Sequence, residues 1–374
     1  MTMRVALLVV WAQLVASLPL KSFSSTSWTK VLLTDAAKNG AVCLDGSPGG
    51  FYIRRGDPTK WVVFHQGGGW CSSDDNCYDR SLTTLGSSKS WGPTYTDLYE
   101  GSHLFTTPPF DQYTAVYAMY CDGGSWTGQT VAPVETSKGT IYYRGRLLLD
   151  ALIDELLGMG LNGASELLYA GCSAGGLTTY LHLDYVAGRM PNSVRVKGLA
   201  DAMFSLEHDS VAGQAVFPSR MEWGYAAWNS SGAINTACES HYGPAAGWHC
   251  FFGAAVAPFV STPLFVLNSK YDTWQEAAII GVNCSIAACP KAEQDFWVTY
   301  GHEMVGNLTA LPSRHGAFLT NCPAHCQTGI ANWEKATING VAMGQAFVTW
   351  YTQDGNVERW IEVCDVNVCK ADTC

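Results

Sequence analysis

The chain has 374 residues, 47% apolar and 14% charged, with 22 Lys and Arg against 32 Asp and Glu. Such apolar content excludes a disordered polymer, and a net charge of −10 excludes an electrostatic grip on nucleic acid or anionic membranes. Neither is expected as a partner.

Residues 1–18 carry one cation, Arg4, then an apolar run over 5–15 and the small residues Ala16 and Ser17. That order is a secretory signal peptide, too short and too interrupted at Gln13 for a spanning helix. Its removal leaves 19–374 as a single secreted domain.

Residues 60–66 (KWVVFHQ) read as a short buried strand that runs into Gly67-Gly68-Gly69-Trp70-Cys71. The glycine loop lacks the G-K-[ST] of a phosphate loop. Placed after a strand, it can turn main-chain N–H groups towards a developing oxyanion, which makes Gly69 and Trp70 candidate donors, with Ala174 as a third.

Residues 114–120 (TAVYAMY) give a second strand. Over 143–157, Leu147, Leu148, Ala151, Leu152, Leu156 and Leu157 keep the i, i+4 stripe of a helix. Further strands follow at 166–170 (ELLYA), 194–200 (VRVKGLA) and 263–268 (PLFVLN). Short buried strands alternating with helices predict an α/β fold, α/β-hydrolase-like, with a mostly parallel sheet covered on both faces.

Between ELLYA and the helical run GLTTYLHLDYV lies Gly171-Cys172-Ser173-Ala174-Gly175. Strand, sharp turn and helix around G-x-S-x-G is the setting of a nucleophile elbow, with Ser173 exposed at the turn. From 204 to 262 the pattern dissolves into aromatic, Gly-rich and Cys-containing sequence, read as an insertion over the active-site edge.

A serine nucleophile needs a base, and the base an orienting acid; in this topology the order is Ser, Asp or Glu, His. Asp272 follows the strand PLFVLN, while Asp201 after VKGLA is a rival acid. Of the downstream histidines, His302, His315 and His325, the last sits between Cys322 and Cys326, which would hold it rigidly if bridged. Such a triad uses no metal and no organic cofactor.

The 14 cysteines, an even number, fit a disulfide-bonded secreted protein, with local staples suggested for Cys71 with Cys77 and Cys284 with Cys289. The absence of any C-x-x-C pair argues against zinc. Asn229, Asn283 and Asn307 open N-glycosylation sequons.

Taken in series, HQGGGWC with Cys77, YCDGGSWTG (120–128), YYRGR, GCSAGGL (171–177), ADAMF (200–204), YDTWQ (271–275) and CPAHCQT (322–328) resemble the pectin acetylesterase family. That family extends to animal esterases that deacylate a lipidated protein. The resemblance runs from about residue 32 to the C-terminus. It implies a secreted serine esterase acting on O-acetyl groups of a polysaccharide, with Ser173, Asp272 and His325 as its triad and the GGW amides as oxyanion donors. Two other functions stay open at this level. One is deacylation of a long-chain acyl ester, with Trp223, Tyr225, Trp228 and Trp248 lining an acyl pocket; the other is carbohydrate binding without catalysis.

Overall fold

The computed structural model describes residues 27–95, 99–286, 288–353, 358–363 and 365. Residues 1–18, read as a signal peptide, lie outside them. Its centre is a ten-stranded sheet. In chain order the strands are β1 (Trp28–Leu32), β2 (Gly50–Arg54), β3 (Asp57–His65), β4 (Thr94–Tyr95), β5 (Tyr113–Ala118), β6 (Glu166–Cys172), β7 (Arg195–Asp201), β8 (Leu264–Ser269), β9 (Gly316–Thr320) and β10 (Arg359–Ile361). Across the sheet they run β10-β9-β8-β7-β6-β3-β5-β2-β1-β4.

From β10 to β5 every neighbouring pair is parallel, whereas β2, β1 and β4 extend the sheet antiparallel. The parallel strands are almost continuous apolar runs, because helices cover both of their faces. In β5 (YTAVYA) every residue is buried. The strand runs read from the sequence all lie in this parallel part; the antiparallel strands were not foreseen.

The helix foreseen over 143–157 is α1 (Gly145–Gly158), burying Leu148, Leu149, Leu152, Ile153 and Leu156. The elbow helix is α2 (Ala174–Arg189), buried along most of its length beside β6 and β7. Residues 202–263 join β7 to β8; their two longer helices are α3 (Val216–Ala227) and α4 (Thr236–Tyr242). In α3, Phe217, Met221 and Tyr225 are buried at i, i+4 spacing, a stripe that Pro218 and Gly224 obscure in the sequence. After β8 come α5 (Lys291–Thr309) and, beyond β9, α6 (Met343–Thr352).

Both short cysteine pairs are bridged as foreseen, Cys71–Cys77 and Cys284–Cys289. Cys43–Cys121, Cys172–Cys326 and Cys238–Cys250 join residues farther apart. Among the described residues no helix is long and apolar enough to cross a membrane.

Candidate active site

The candidate side chains gather at the C-terminal ends of the parallel strands, where loops diverge and leave room for a ligand. Ser173 follows β6 and caps α2 with φ 57° and ψ −123°, a conformation an L-residue adopts only when its surroundings enforce it. They do so by close approach. A Cβ on Gly175 would lie 2.0 Å from the carbonyl oxygen of His65, so only glycine lets α2 start against the end of β3. The Ser173 N–H donates to the Asp201 carbonyl at 2.9 Å, fixing the elbow to the neighbouring strand.

Asp272 stands just beyond β8, 1% exposed. Its Oδ1 accepts from the N–H groups of Trp274 and Gln275, both at 3.0 Å, so the carboxylate is clamped by the backbone that follows it. The other face of the carboxylate meets His325. Nδ1 of the imidazole lies 2.9 Å from Oδ1 and 3.0 Å from Oδ2 of Asp272. Two aspartate oxygens facing one ring nitrogen place the imidazole proton on Nδ1 and leave Nε2 free as an acceptor. A parallel bridge between Asp272 and Ala324 holds the two segments side by side.

The histidine loop is fastened to the elbow by Cys172–Cys326, Cα–Cα 5.5 Å, one residue from Ser173 on one side and from His325 on the other. Cys322 is disulfide-bonded as well. The sulfurs near His325 are thus consumed in a bridge and offer no thiolate to a metal.

Asp201, the rival acid, is fully buried but does not orient His325. Its Oδ2 accepts from the N–H and Oγ1 of Thr328, at 2.8 and 2.7 Å, and its Oδ1 from the N–H of Gln327 at 3.2 Å. It therefore anchors the loop that carries the histidine. Burial raises its pKa to about 6 despite these donors. The other histidines are elsewhere. His315 Nδ1 accepts from the N–H of Leu264 at the start of β8, where burial lowers its pKa to about 4; His302 pairs with Asp365 on the surface.

The sequence reading missed Glu100. Its Oε2 accepts from the N–H of Gly67 at 2.6 Å. A Cβ on Gly67 would stand 2.9 Å from both Glu100 Oε1 and Ser173 Cβ, so Gly67 is wedged between this carboxylate and Ser173. Burial raises its pKa to about 7, the Gly67 N–H and His325 opposing that rise. Nothing local marks Glu100 in the sequence, since it joins the site from a loop far from the motifs. For His325, burial would lower the pKa, but the Asp272, Asp201 and Glu100 carboxylates outweigh it and raise it above the ordinary imidazole value.

The glycine loop turns as foreseen. Gly68 and Gly69 have φ 133° and 67°. The Gly68 carbonyl accepts from Arg80 Nη1 and the Gly69 carbonyl from the Tyr120 hydroxyl, each at 2.9 Å. In a trans peptide the next N–H points the opposite way, so the N–H groups of Gly69 and Trp70 face away from Arg80 and Tyr120. Ala174, first in α2, has no acceptor within its helix. Among the described residues none of these three N–H groups has a protein partner.

An aromatic wall flanks the site. Trp70, Phe217 and Trp274 touch one another pairwise, with ring centroids 5.4 to 5.7 Å apart, and Trp274 lies 6.0 Å from the His325 ring. Of the aromatics foreseen as an acyl lining, Trp228 is instead fully buried. Its ring packs on Trp223 and Phe251, inside the segment that was read as an insertion.

Comparison with known proteins identifies the family and the fold. The family model described as Pectinacetylesterase matches residues 22–374. Pectin acetylesterase 11 of Arabidopsis thaliana is 30% identical over 85% of this chain and 86% of its own length. Pectin acetylesterase 7 of the same plant is 31% identical over 80% and 81%. The palmitoleoyl-protein carboxylesterase NOTUM of Homo sapiens is 28% identical over 82% of this chain and 63% of its own. Among solved structures, the Wnt deacylase Notum from Drosophila superposes with a TM-score of 0.80, covering 91% of this chain and 97% of that one at 24% identity, a likeness of fold.

Proposed function

The chain belongs to the pectin acetylesterase family and is a carboxylic ester hydrolase, and on that premise we propose that it is a secreted serine esterase removing O-acetyl groups from a polysaccharide, most directly pectin. The observation that carries the reading is the Asp272–His325 pair, bridged by Cys172–Cys326 to the residue beside Ser173.

In this reading His325 Nε2 takes the Ser173 proton as Oγ attacks the acetyl carbonyl. The N–H groups of Gly69, Trp70 and Ala174 receive the oxyanion. The sugar oxygen departs with the proton held by His325, and water then repeats the attack on the acetyl-enzyme. Asp272 keeps the imidazole in the right tautomer and stabilises its charged form.

Acyl size is where acetyl and long-chain readings separate. The mutual contact of Trp70, Phe217 and Trp274 leaves no slot between those rings, which favours a short acyl group. Pure carbohydrate binding is disfavoured because it has no use for an oriented His-Asp pair beside a strained serine. Secretion is supported by the disulfides and by the exposed side chains of the sequon residues Asn229, Asn283 and Asn307.

The test is a p-nitrophenyl ester series run beside acetate release from acetylated pectin. Rates that fall beyond short acyl chains, with acetate released from the polymer, match the proposal. Rates that climb with chain length and no acetate would move the function to lipid deacylation.

A further inference from the structure

Ser125 belongs to no catalytic motif, yet its hydrogen bonds reach each part of the loop assigned to the oxyanion. It is fully buried. Its Oγ accepts from Trp70 Nε1 at 2.7 Å and donates to the Ala174 carbonyl at 2.9 Å. Its N–H donates to the Tyr120 hydroxyl at 3.1 Å, and that hydroxyl donates in turn to the Gly69 carbonyl. The Ser125 carbonyl accepts from His182 Nε2 at 3.0 Å. Each hydrogen in this network has one place to go, so the directions of all these bonds are fixed together.

The backbone is held in a costly form to achieve this. Ser125 and Trp126 have φ 50° and 62°, in the left-handed region that non-glycine residues avoid. The Asp122 carboxylate accepts from the N–H groups of Gly124 and Trp126, at 3.1 and 2.9 Å, and so clamps the turn on both sides of Ser125. Strain held in place by a buried carboxylate, at the point where three loops meet, points to a function for the turn.

We propose that Ser125 is the positioning residue of the oxyanion site, aligning the Gly69–Trp70 peptide through Tyr120, the Trp70 ring directly and the start of α2 through Ala174. The inference rests on the esterase reading of Ser173. Misaimed donors cost transition-state stabilisation more than substrate binding, so the effect falls on kcat.

The test uses Ser125→Gly, which keeps the positive φ and removes the hydroxyl, and Tyr120→Phe, which removes the hydroxyl that joins the Ser125 N–H to the Gly69 carbonyl. For each folded variant kcat on p-nitrophenyl acetate falls roughly 10- to 100-fold with KM within about threefold. The inhibition constant of a trifluoromethyl ketone, which forms a tetrahedral adduct on serine, rises by the same factor as kcat/KM falls. An unchanged kcat in either folded variant, or a loss confined to KM, overturns the proposal, and so does ketone affinity that does not follow the rate. Should Ser173→Ala retain the wild-type rate, the esterase reading falls and takes this inference with it; a dead Ser173→Ala beside a fully active Ser125→Gly removes the inference alone.

Discussion

Cys172 and Cys326 are bonded across 154 residues of sequence, and their bridge ties the residue before Ser173 to the residue after His325. His325 and Ser173 come from separate loops, so their relative placement would otherwise depend on side-chain packing alone. Replacing both cysteines by alanine removes a loop closure worth at most about 5 kcal/mol by chain entropy. The expected result is a lower melting temperature together with a kcat reduced at least tenfold in protein that is still folded. Urea unfolding and steady-state rates on the same samples check it, and a folded double variant with undiminished kcat would show the bridge to be purely structural.

Asp272→Asn keeps the side-chain shape, but its NH2 can face His325 and force the wrong tautomer. The expected loss is roughly 10³- to 10⁴-fold in kcat. Asp201→Asn, which loosens the loop without touching the ring, is expected to cost much less. Comparable losses from the two would return the role of acid to Asp201.

The pH profile has a definite sign. His325 must be neutral to act as a base, and its pKa is raised by Asp272, Asp201 and Glu100 against the lowering effect of burial. Activity therefore rises with pH, and its midpoint lies above the ordinary imidazole value of about 6.5. Glu100→Gln removes a carboxyl that, with its pKa raised to about 7, is partly ionised over this range; its loss makes the imidazolium less favourable and moves that midpoint to lower pH. A midpoint that stays still or moves upward in Glu100→Gln contradicts the coupling.

Phe217→Ala empties the space that its ring fills against both Trp70 and Trp274. Hydrolysis of hexanoyl relative to acetyl p-nitrophenyl ester is expected to rise at least tenfold, at a stability cost of roughly 3 kcal/mol for an emptied aromatic site. An unaltered chain-length preference would show that acyl size is set elsewhere.

Much of the site was legible because its chemistry is local in sequence. The elbow needs glycines on both sides of Ser173, and the oxyanion loop needs them before Trp70, so each announces itself within a few residues. Asp272 and His325 were placed by chain order and by the cysteines around the histidine. What escaped was non-local. The strand Trp28–Leu32 carries Lys30 and no clean alternation, and it becomes a strand by pairing with Gly50–Arg54. Glu100 and Ser125 act through contacts with residues 33 and 55 positions away, at Gly67 and Trp70. The local hint for Ser125 was the turn-rich Asp122-Gly123-Gly124-Ser125 after a buried strand, inside the family-like run 120–128, which marks a turn without saying what it supports.

Acetate release from acetylated pectin, measured for the purified protein and for Ser173→Ala side by side, addresses the central claim most directly. The account predicts steady release by the wild type and a loss of at least roughly 10⁴-fold in the variant, with the two proteins melting at similar temperatures. Equal release by both, or none by a folded wild type, would contradict it.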